Sequence, residues 1–140
     1  MTQITPEELI ETARTLLKAR YQRGEHHTVV ASALVTKNGN VYSGLHVGTT
    51  QPSVATCAEI ITIGMALTAE KDMEIDMIVA VRDECGYVIS PCGKCREYIA
   101  DYSHEEAKVI VPVGEADEWE VVSIRDLLPN KYHKRVCECK

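Results

Sequence analysis

Two cysteines, Cys92 and Cys95, lie three residues apart at the start of a predicted helix. Side chains at positions i and i+3 of a helix share one face, so both thiols can act on one partner. Alone, the pair is consistent with a redox pair, a structural role or half of a metal site. A zinc ribbon needs a second such pair, and Cys137 and Cys139, near the chain terminus, have the wrong spacing.

A third cysteine, Cys57, begins another predicted helix, and Glu59 follows it by two positions. Three thiolates would leave the fourth tetrahedral position of Zn²⁺ open, as in catalytic zinc sites. A water there has its pKa lowered toward neutrality, and a nearby carboxylate can pass its proton to a leaving group. Cys-Ala-Glu followed by Pro-Cys-x-x-Cys is the pattern of zinc deaminases, in which the glutamate is not a ligand. We therefore predict Zn²⁺ bound by Cys57, Cys92 and Cys95, with Glu59 as proton shuttle.

Each of these residues also has a structural alternative. Thr56 and Glu59 match a capping box, in which the glutamate only caps a backbone N–H, and a free cysteine such as Cys57 is often a small buried hydrophobe. Three thiolates outweigh the charge of Zn²⁺ by one, so positive groups should compensate. Helix N-termini provide part of this charge. Lys94 and Arg96 flank the ligands and could provide more, although a solvated surface position fits each equally well.

Composition restricts the class of protein. A chain of 140 residues suits one domain over 1–140. The net charge of -6 argues against a nucleic-acid partner, because such binding relies on basic surfaces. No stretch approaches the roughly 18 apolar residues of a membrane helix, and Met1 precedes polar, acidic residues rather than a signal peptide. We therefore expect a cytoplasmic protein, no membrane partner, and metal or catalytic use of cysteine rather than disulfides.

The elements that must position these residues alternate between helix and strand. One helix is predicted to begin at Thr5, and three more are predicted over 57–70, 92–102 and 123–128. Strands are predicted over 28–36, 41–47, 75–81, 108–113 and 119–122, with Asn38-Gly39 as the turn of a hairpin. This order predicts one sheet covered by helices. Because both cysteine-bearing helices follow loops, we expect their N-termini to meet at one edge of the sheet.

The motifs at 57–59 and 90–97 resemble the small cytidine deaminases, and within them blasticidin S deaminase. The hairpin at 38–44 and the segment 123–129, which ends in Asp-Leu-Leu-Pro, extend the resemblance to about residues 5–132. It implies an α/β fold of three layers around a five-stranded mixed sheet, and a homotetramer whose active sites borrow residues from neighbouring subunits. It implies replacement of the 4-amino group of a cytosine ring by oxygen, with release of ammonia. It also implies the same metal ligands and proton shuttle, and a position of the Ala58 backbone N–H near the ring.

One segment that would face the substrate departs from the family pattern. Nucleoside-specific relatives hold ribose with Asn-x-Glu after the second strand, where this chain has His46, Val47 and Gly48. A site built for hydroxyls rejects ligands that lack them, and the converse holds, so the usual ribose contacts are not expected. His46 is predicted to contact substrate, with a core histidine as the alternative. Tyr132 stands where the family places an aromatic near the substrate, with a surface tyrosine as the alternative.

The expected substrate is a small nucleoside-like molecule: cytidine, deoxycytidine or blasticidin S, which the resemblance does not rank. Deamination of another heterocycle or of a nucleic acid, and a non-catalytic zinc or redox protein, are the competing hypotheses. No function is predicted for Cys85, nor for His26, His27 and His104, which are expected in loops.

Overall fold

The computed structural model describes residues 3–20, 22–23, 26–27, 29–83, 85–103, 106–115 and 117–137. Within these residues the helices are α1 (Pro6–Lys18), α2 (Ala58–Ala69), α3 (Gly93–Asp101) and α4 (Ile124–Leu127), with a 3-10 turn at Pro52–Val54. The strands are β1 (Gln22–Arg23), β2 (His26–His27), β3 (Val30–Thr36), β4 (Val41–Leu45), β5 (Ile75–Arg82), β6 (Tyr87–Ile89), β7 (Lys108–Val113) and β8 (Glu118–Ser123).

The main sheet is mixed and follows the strand order β4-β3-β5-β7-β8. Its β5–β7 pair is parallel, and the other neighbours on this path are antiparallel. The path matches the predicted five-stranded mixed sheet, but β6 makes the described sheet six-stranded by pairing with Ala80–Arg82 of β5. The sequence prediction missed β6 because three residues are too few for an alternating pattern.

Two apolar clusters on opposite faces of the sheet confirm the three layers. One cluster joins α1 to β3 and β5 through residues such as Leu9, Ala33 and Val79. The other joins the same strands to α2 and α3 through Leu34, Ile63, Ile78 and Ile99. Neighbouring residues of one strand enter different clusters because successive strand side chains point to opposite faces. The cysteine-bearing helices therefore share one layer.

The beginning of α1 and the hairpin follow the predicted signals. The Thr5 hydroxyl accepts from the Glu8 backbone N–H at 3.2 Å, and the Glu8 carboxylate accepts from the Thr5 N–H at 2.9 Å. Gly39 adopts a φ of 86°, which glycine tolerates without strain, at the turn between β3 and β4. Glu70, at the end of α2, accepts hydrogen bonds from the Asn38 and Asn40 side chains of this turn. The hairpin thereby holds the C-terminal end of α2.

Some predicted boundaries and positions were wrong. His26 and His27 form β2, which pairs with β1, instead of lying in a loop. The second hairpin strand ends at Leu45 rather than Val47. Val47 forms an isolated bridge. His104 and Cys139 lie outside the described residues.

Candidate active site

The N-terminus of α2 is held by a short backbone bridge. Val47 and Thr56 exchange two backbone hydrogen bonds of 3.0 and 2.8 Å, immediately before Cys57. Cys57 is the N-cap residue of α2, and no side chain caps the helix there. The capping box that the sequence allowed for Thr56 and Glu59 is therefore not formed, which leaves the Glu59 carboxylate for another use.

The N-terminus of α3 supplies the other two cysteines. Cys92 is the N-cap residue and follows the buried Pro91. Cys95 lies in the first turn and is fully buried, whereas the Cys92 side chain is exposed. Because a cysteine is the N-cap residue of both α2 and α3, the two helix starts present thiols rather than hydroxyl caps.

The two helix starts bring the three thiols together. Their sulfur atoms all lie within 4.8 Å of one another, and the Cys57 and Cys92 Sγ atoms are 3.9 Å apart. Tetrahedral zinc with Zn–S bonds of about 2.3 Å separates its sulfur ligands by about 3.8 Å. The cluster therefore fits Zn²⁺ in both donor type and spacing. Among the described residues, this is the one group of three potential ligands of this kind.

The electrostatics of the cluster call for a cation. Burial raises the pKa of the Cys57 thiol, and the neighbouring Cys92 adds to the effect. Burial also raises the pKa of Cys95 far above its usual range, with the Glu59 carboxylate contributing. The pKa of Cys92 is lowered, because backbone N–H groups of Cys95 and Lys94 and the two other thiols outweigh its burial. All three thiols can be ionised together only beside a positive charge, which a bound metal ion provides.

Glu59 lies beside this cluster in the first turn of α2. Glu59 is only 4% exposed, and this burial raises the pKa of its carboxyl. Hydrogen bonds from its own backbone N–H and from the Cys95 thiol act in the opposite direction. A carboxyl with a raised pKa is better able both to accept and to release a proton during turnover. Its position next to Cys95 suits it to that role without making it a fourth ligand.

The structure distributes the remaining predicted site residues differently. Ala58 is fully buried between Cys57 and Glu59. Lys94 is exposed. Arg96 is half-buried, and its guanidinium donates to the backbone carbonyls of Pro91 and Leu127. The charge of Arg96 is thus held next to the loop that carries Cys92, but by contacts that the sequence did not predict.

His46 and Tyr132 have contrasting surroundings. The Nδ1 atom of His46 accepts from the backbone N–H groups of Val29 and Val30, at 3.2 and 3.3 Å. Nδ1 is therefore the unprotonated ring nitrogen of a half-buried residue, and the substrate contact of His46 stays a prediction. Tyr132 is 74% exposed in the single chain. Lys131, which precedes it, pairs with Asp101 of α3 at 2.8 Å.

Sequence reasoning missed the close approach of Gly44 in β4 to Thr62 in α2, which places the helix on the sheet. The hydroxyl of the buried Thr62 donates to the Ala58 carbonyl at 2.7 Å. Gly44 of β4 lies so close that an added Cβ would be 2.8 Å from this hydroxyl oxygen. An isolated glycine inside a predicted strand is a signal for such close approach.

Comparison with known proteins agrees with this site. A family profile described as the cytidine and deoxycytidylate deaminase zinc-binding region matches residues 4–111. The chain therefore belongs to the cytidine and deoxycytidylate deaminase family. It is a hydrolytic deaminase with Zn²⁺ as its cofactor.

Individual relatives cover nearly the whole chain. Blasticidin-S deaminase from Bacillus cereus is 37% identical over 133 residues, spanning 89% of this chain and 90% of that protein. A cytidine deaminase from Mycoplasma genitalium is 23% identical over 126 residues, spanning 90% and 94%. The crystal structure of cytidine deaminase from Mycobacterium leprae superimposes with a TM-score of 0.77 at 23% identity, covering 91% of this chain and 100% of that one. None of the helices described here is long and apolar enough to cross a membrane.

Proposed function

We propose that the protein hydrolyses the 4-amino group of the cytosine ring in a free nucleoside-like molecule and releases ammonia. The observation that carries the proposal is the cluster of three thiols at two helix N-termini, with the buried Glu59 beside it. A redox pair requires only Cys92 and Cys95 and gives no role to Cys57 or to Glu59. A structural zinc site requires a fourth protein ligand, and none joins the cluster among the described residues.

Each residue has a separate role in this proposal. Cys57, Cys92 and Cys95 hold the metal, which when bound supplies a Lewis acid that activates water at neutral pH. Glu59 takes one proton from the attacking water and delivers it to ring N3, and then carries the remaining proton of the new C4 hydroxyl to the amino group, which leaves as ammonia. The Ala58 backbone N–H lies beside the ring, and Lys94 compensates negative charge at the thiolates. His46 and Tyr132 stay predicted substrate neighbours.

We propose a blasticidin S-like nucleoside as the substrate, with cytidine and deoxycytidine as the alternatives. The relative named for blasticidin S shares 37% identity with this chain, against 23% for the cytidine deaminase of similar coverage. Gly48 offers no side chain where nucleoside-specific relatives carry glutamate, and His46 Nδ1 is engaged by the backbone. A segment with these properties does not hold ribose hydroxyls in the usual way.

A homotetramer is part of the proposal. Between Glu59 and Glu70, α2 contains no charged residue. The large side chains of Met65 and Leu67 on α2 are 46% and 39% exposed in the single chain. A helix that is apolar on all sides is normally buried, and a second copy of the chain would bury this one. Assembly would also give the exposed Tyr132 a neighbouring subunit to contact. Cys57, Cys92 and Cys95 are free thiols, whereas Cys137 is disulfide-bonded, contrary to the expectation of no disulfides. Because the three thiolate ligands must stay reduced, the proposed location is the cytoplasm.

The experiment is ammonia release by the zinc-loaded protein from blasticidin S and from cytidine, measured side by side. Turnover of blasticidin S alone would indicate a resistance enzyme, and efficient turnover of cytidine would indicate pyrimidine salvage and contradict the preferred substrate. Release of ammonia from neither would refute the proposed reaction on these substrates.

The role of Glu59 is tested by Glu59→Gln, with Glu120→Gln on the exposed face of β8 as the matched control. We expect the first variant to keep one zinc per chain and to lose turnover by about 10²- to 10⁴-fold, since only the proton carrier is removed. The control should retain full activity. Normal turnover by Glu59→Gln would remove Glu59 from the mechanism.

A further inference from the structure

The side chain of Arg96 joins two distant segments of the chain. Its Nε donates to the Pro91 carbonyl at 2.8 Å, and its Nη1 donates to the Leu127 carbonyl at 3.1 Å. Pro91 immediately precedes the metal-ligand candidate Cys92, and Leu127 is the last residue of α4. One guanidinium therefore connects the loop before Cys92 to the beginning of the C-terminal segment.

The chemistry of these contacts requires an arginine. The last carbonyls of a helix have no partner within the helix, and Leu127 finds one in Arg96. A guanidinium carries donors on separate nitrogens in a rigid plane, so it can reach two carbonyls that lie in different directions. A lysine ammonium at the end of a flexible stem retains the charge but not this geometry.

A second contact holds the same C-terminal segment further along α3. Lys131 Nζ lies 2.8 Å from Asp101 and 3.6 Å from Glu97. The described residues from 131 to 137 form no helix or strand, so side-chain contacts must determine where this segment runs. Arg96 and Lys131 thus fix the segment on α3 before and after Pro129.

We propose that Arg96 is a positioning residue of the active site. It holds the Pro91 carbonyl, and through it the Cys92 thiol, in the geometry that binds zinc, and it sets the path of the segment that carries Tyr132. The first effect concerns metal binding and is independent of the substrate. The second rests on the proposed function, because it concerns substrate binding by Tyr132.

Arg96→Lys separates this geometric role from simple charge compensation at the thiolates. The variant keeps the positive charge but cannot form both hydrogen bonds. We expect zinc to transfer from Arg96→Lys to a chromophoric chelator at least about tenfold faster than from the wild-type protein, as fast as from Arg96→Gln. Arg82→Lys is the matched control, because Arg82 is 55% exposed and pairs with Asp83 at the end of β5. Its zinc transfer should match the wild type.

Zinc transfer from Arg96→Lys within twofold of the wild type would overturn the proposal and leave charge as the role of Arg96. If Arg96→Gln does not fold, Arg96→Lys and Lys131→Gln keep the test decisive. Lys131→Gln releases only the later contact, so it should raise KM with zinc transfer unchanged. An unchanged KM in both Arg96→Lys and Lys131→Gln would refute the coupling to the C-terminal segment. Zinc transfer needs no substrate, so its result stands even if no ammonia is released from any cytosine compound.

Discussion

Gly44→Ala should lower the free energy of unfolding, because the added methyl group forces α2 away from the sheet. The new Cβ would lie 2.8 Å from Thr62 Oγ1, 3.1 Å from Ile61 Cγ2 and 3.3 Å from the Thr62 backbone N. Two of these neighbours, the helical backbone and the fully buried Thr62 side chain, cannot move without moving the helix. Inserting a methyl group into a packed core costs about 1–3 kcal/mol of unfolding free energy. The backbone of Gly44 does not contribute to this cost, because its φ is not positive.

Gly44→Ala should lower the catalytic rate as well as the stability. The Thr62 hydroxyl is bonded to the carbonyl of Ala58, which lies between Cys57 and Glu59. A displacement of α2 by a few tenths of an ångström would therefore move the Cys57 thiol and the proposed proton shuttle Glu59 together. Since small misplacements of reacting groups are costly, we expect turnover to fall by about tenfold.

The assay is urea unfolding followed by the fluorescence of Trp119, at fixed protein and zinc concentrations, in a double-mutant cycle. Thr62→Ala removes the hydroxyl that Gly44→Ala strikes, so the double variant should be more stable than additivity predicts, by about 0.5–2 kcal/mol. Thr62→Val is the matched control, because it puts a methyl group where the hydroxyl was and should not rescue Gly44→Ala. Additive losses in Gly44→Ala with Thr62→Ala, within about 0.5 kcal/mol, would refute the explanation.

Three further predictions follow from the same structure. Burial alone would raise the pKa of Glu70, but hydrogen bonds from Asn38 and its neighbours lower it. The stability that this adds is present above the unfolded-state pKa of about 4.3 and is lost as the pH falls through the folded value. Urea titrations should therefore show a loss of stability below about pH 5 that Glu70→Gln reduces; identical pH profiles would contradict this. Cys92→Ala should lose both zinc and stability, because metal binding and folding are coupled. If metal analysis finds one tightly bound zinc per chain in this variant, Cys92 is not a ligand. Met65→Glu should dissociate the proposed homotetramer in analytical ultracentrifugation, whereas an unchanged mass would place the interface elsewhere.

Local patterns in the sequence determined the type and approximate bounds of most elements. The Thr5 and Glu8 capping box, the Asn38-Gly39 turn and the apolar runs of the strands depend on residues within a few positions of one another, so a single sequence displays them. The cysteine spacing and Glu59 likewise identified the chemistry, because that combination of residue types has few other uses. Short β6 lacked enough residues for such a pattern.

The tertiary structure decided the contacts between residues that are distant in sequence. The path of the sheet places the N-termini of α2 and α3 in one layer and brings Cys57 within 3.9 Å of Cys92, 35 residues away. The same path gives Arg96 a carbonyl 31 residues away and directs His46 Nδ1 to the start of β3. The partners of Arg96 and His46 are backbone atoms, which every residue possesses. The residue types at Leu127 and Val30 therefore do not predict these contacts. Only the packed arrangement of sheet and helices determines which backbone groups a side chain reaches.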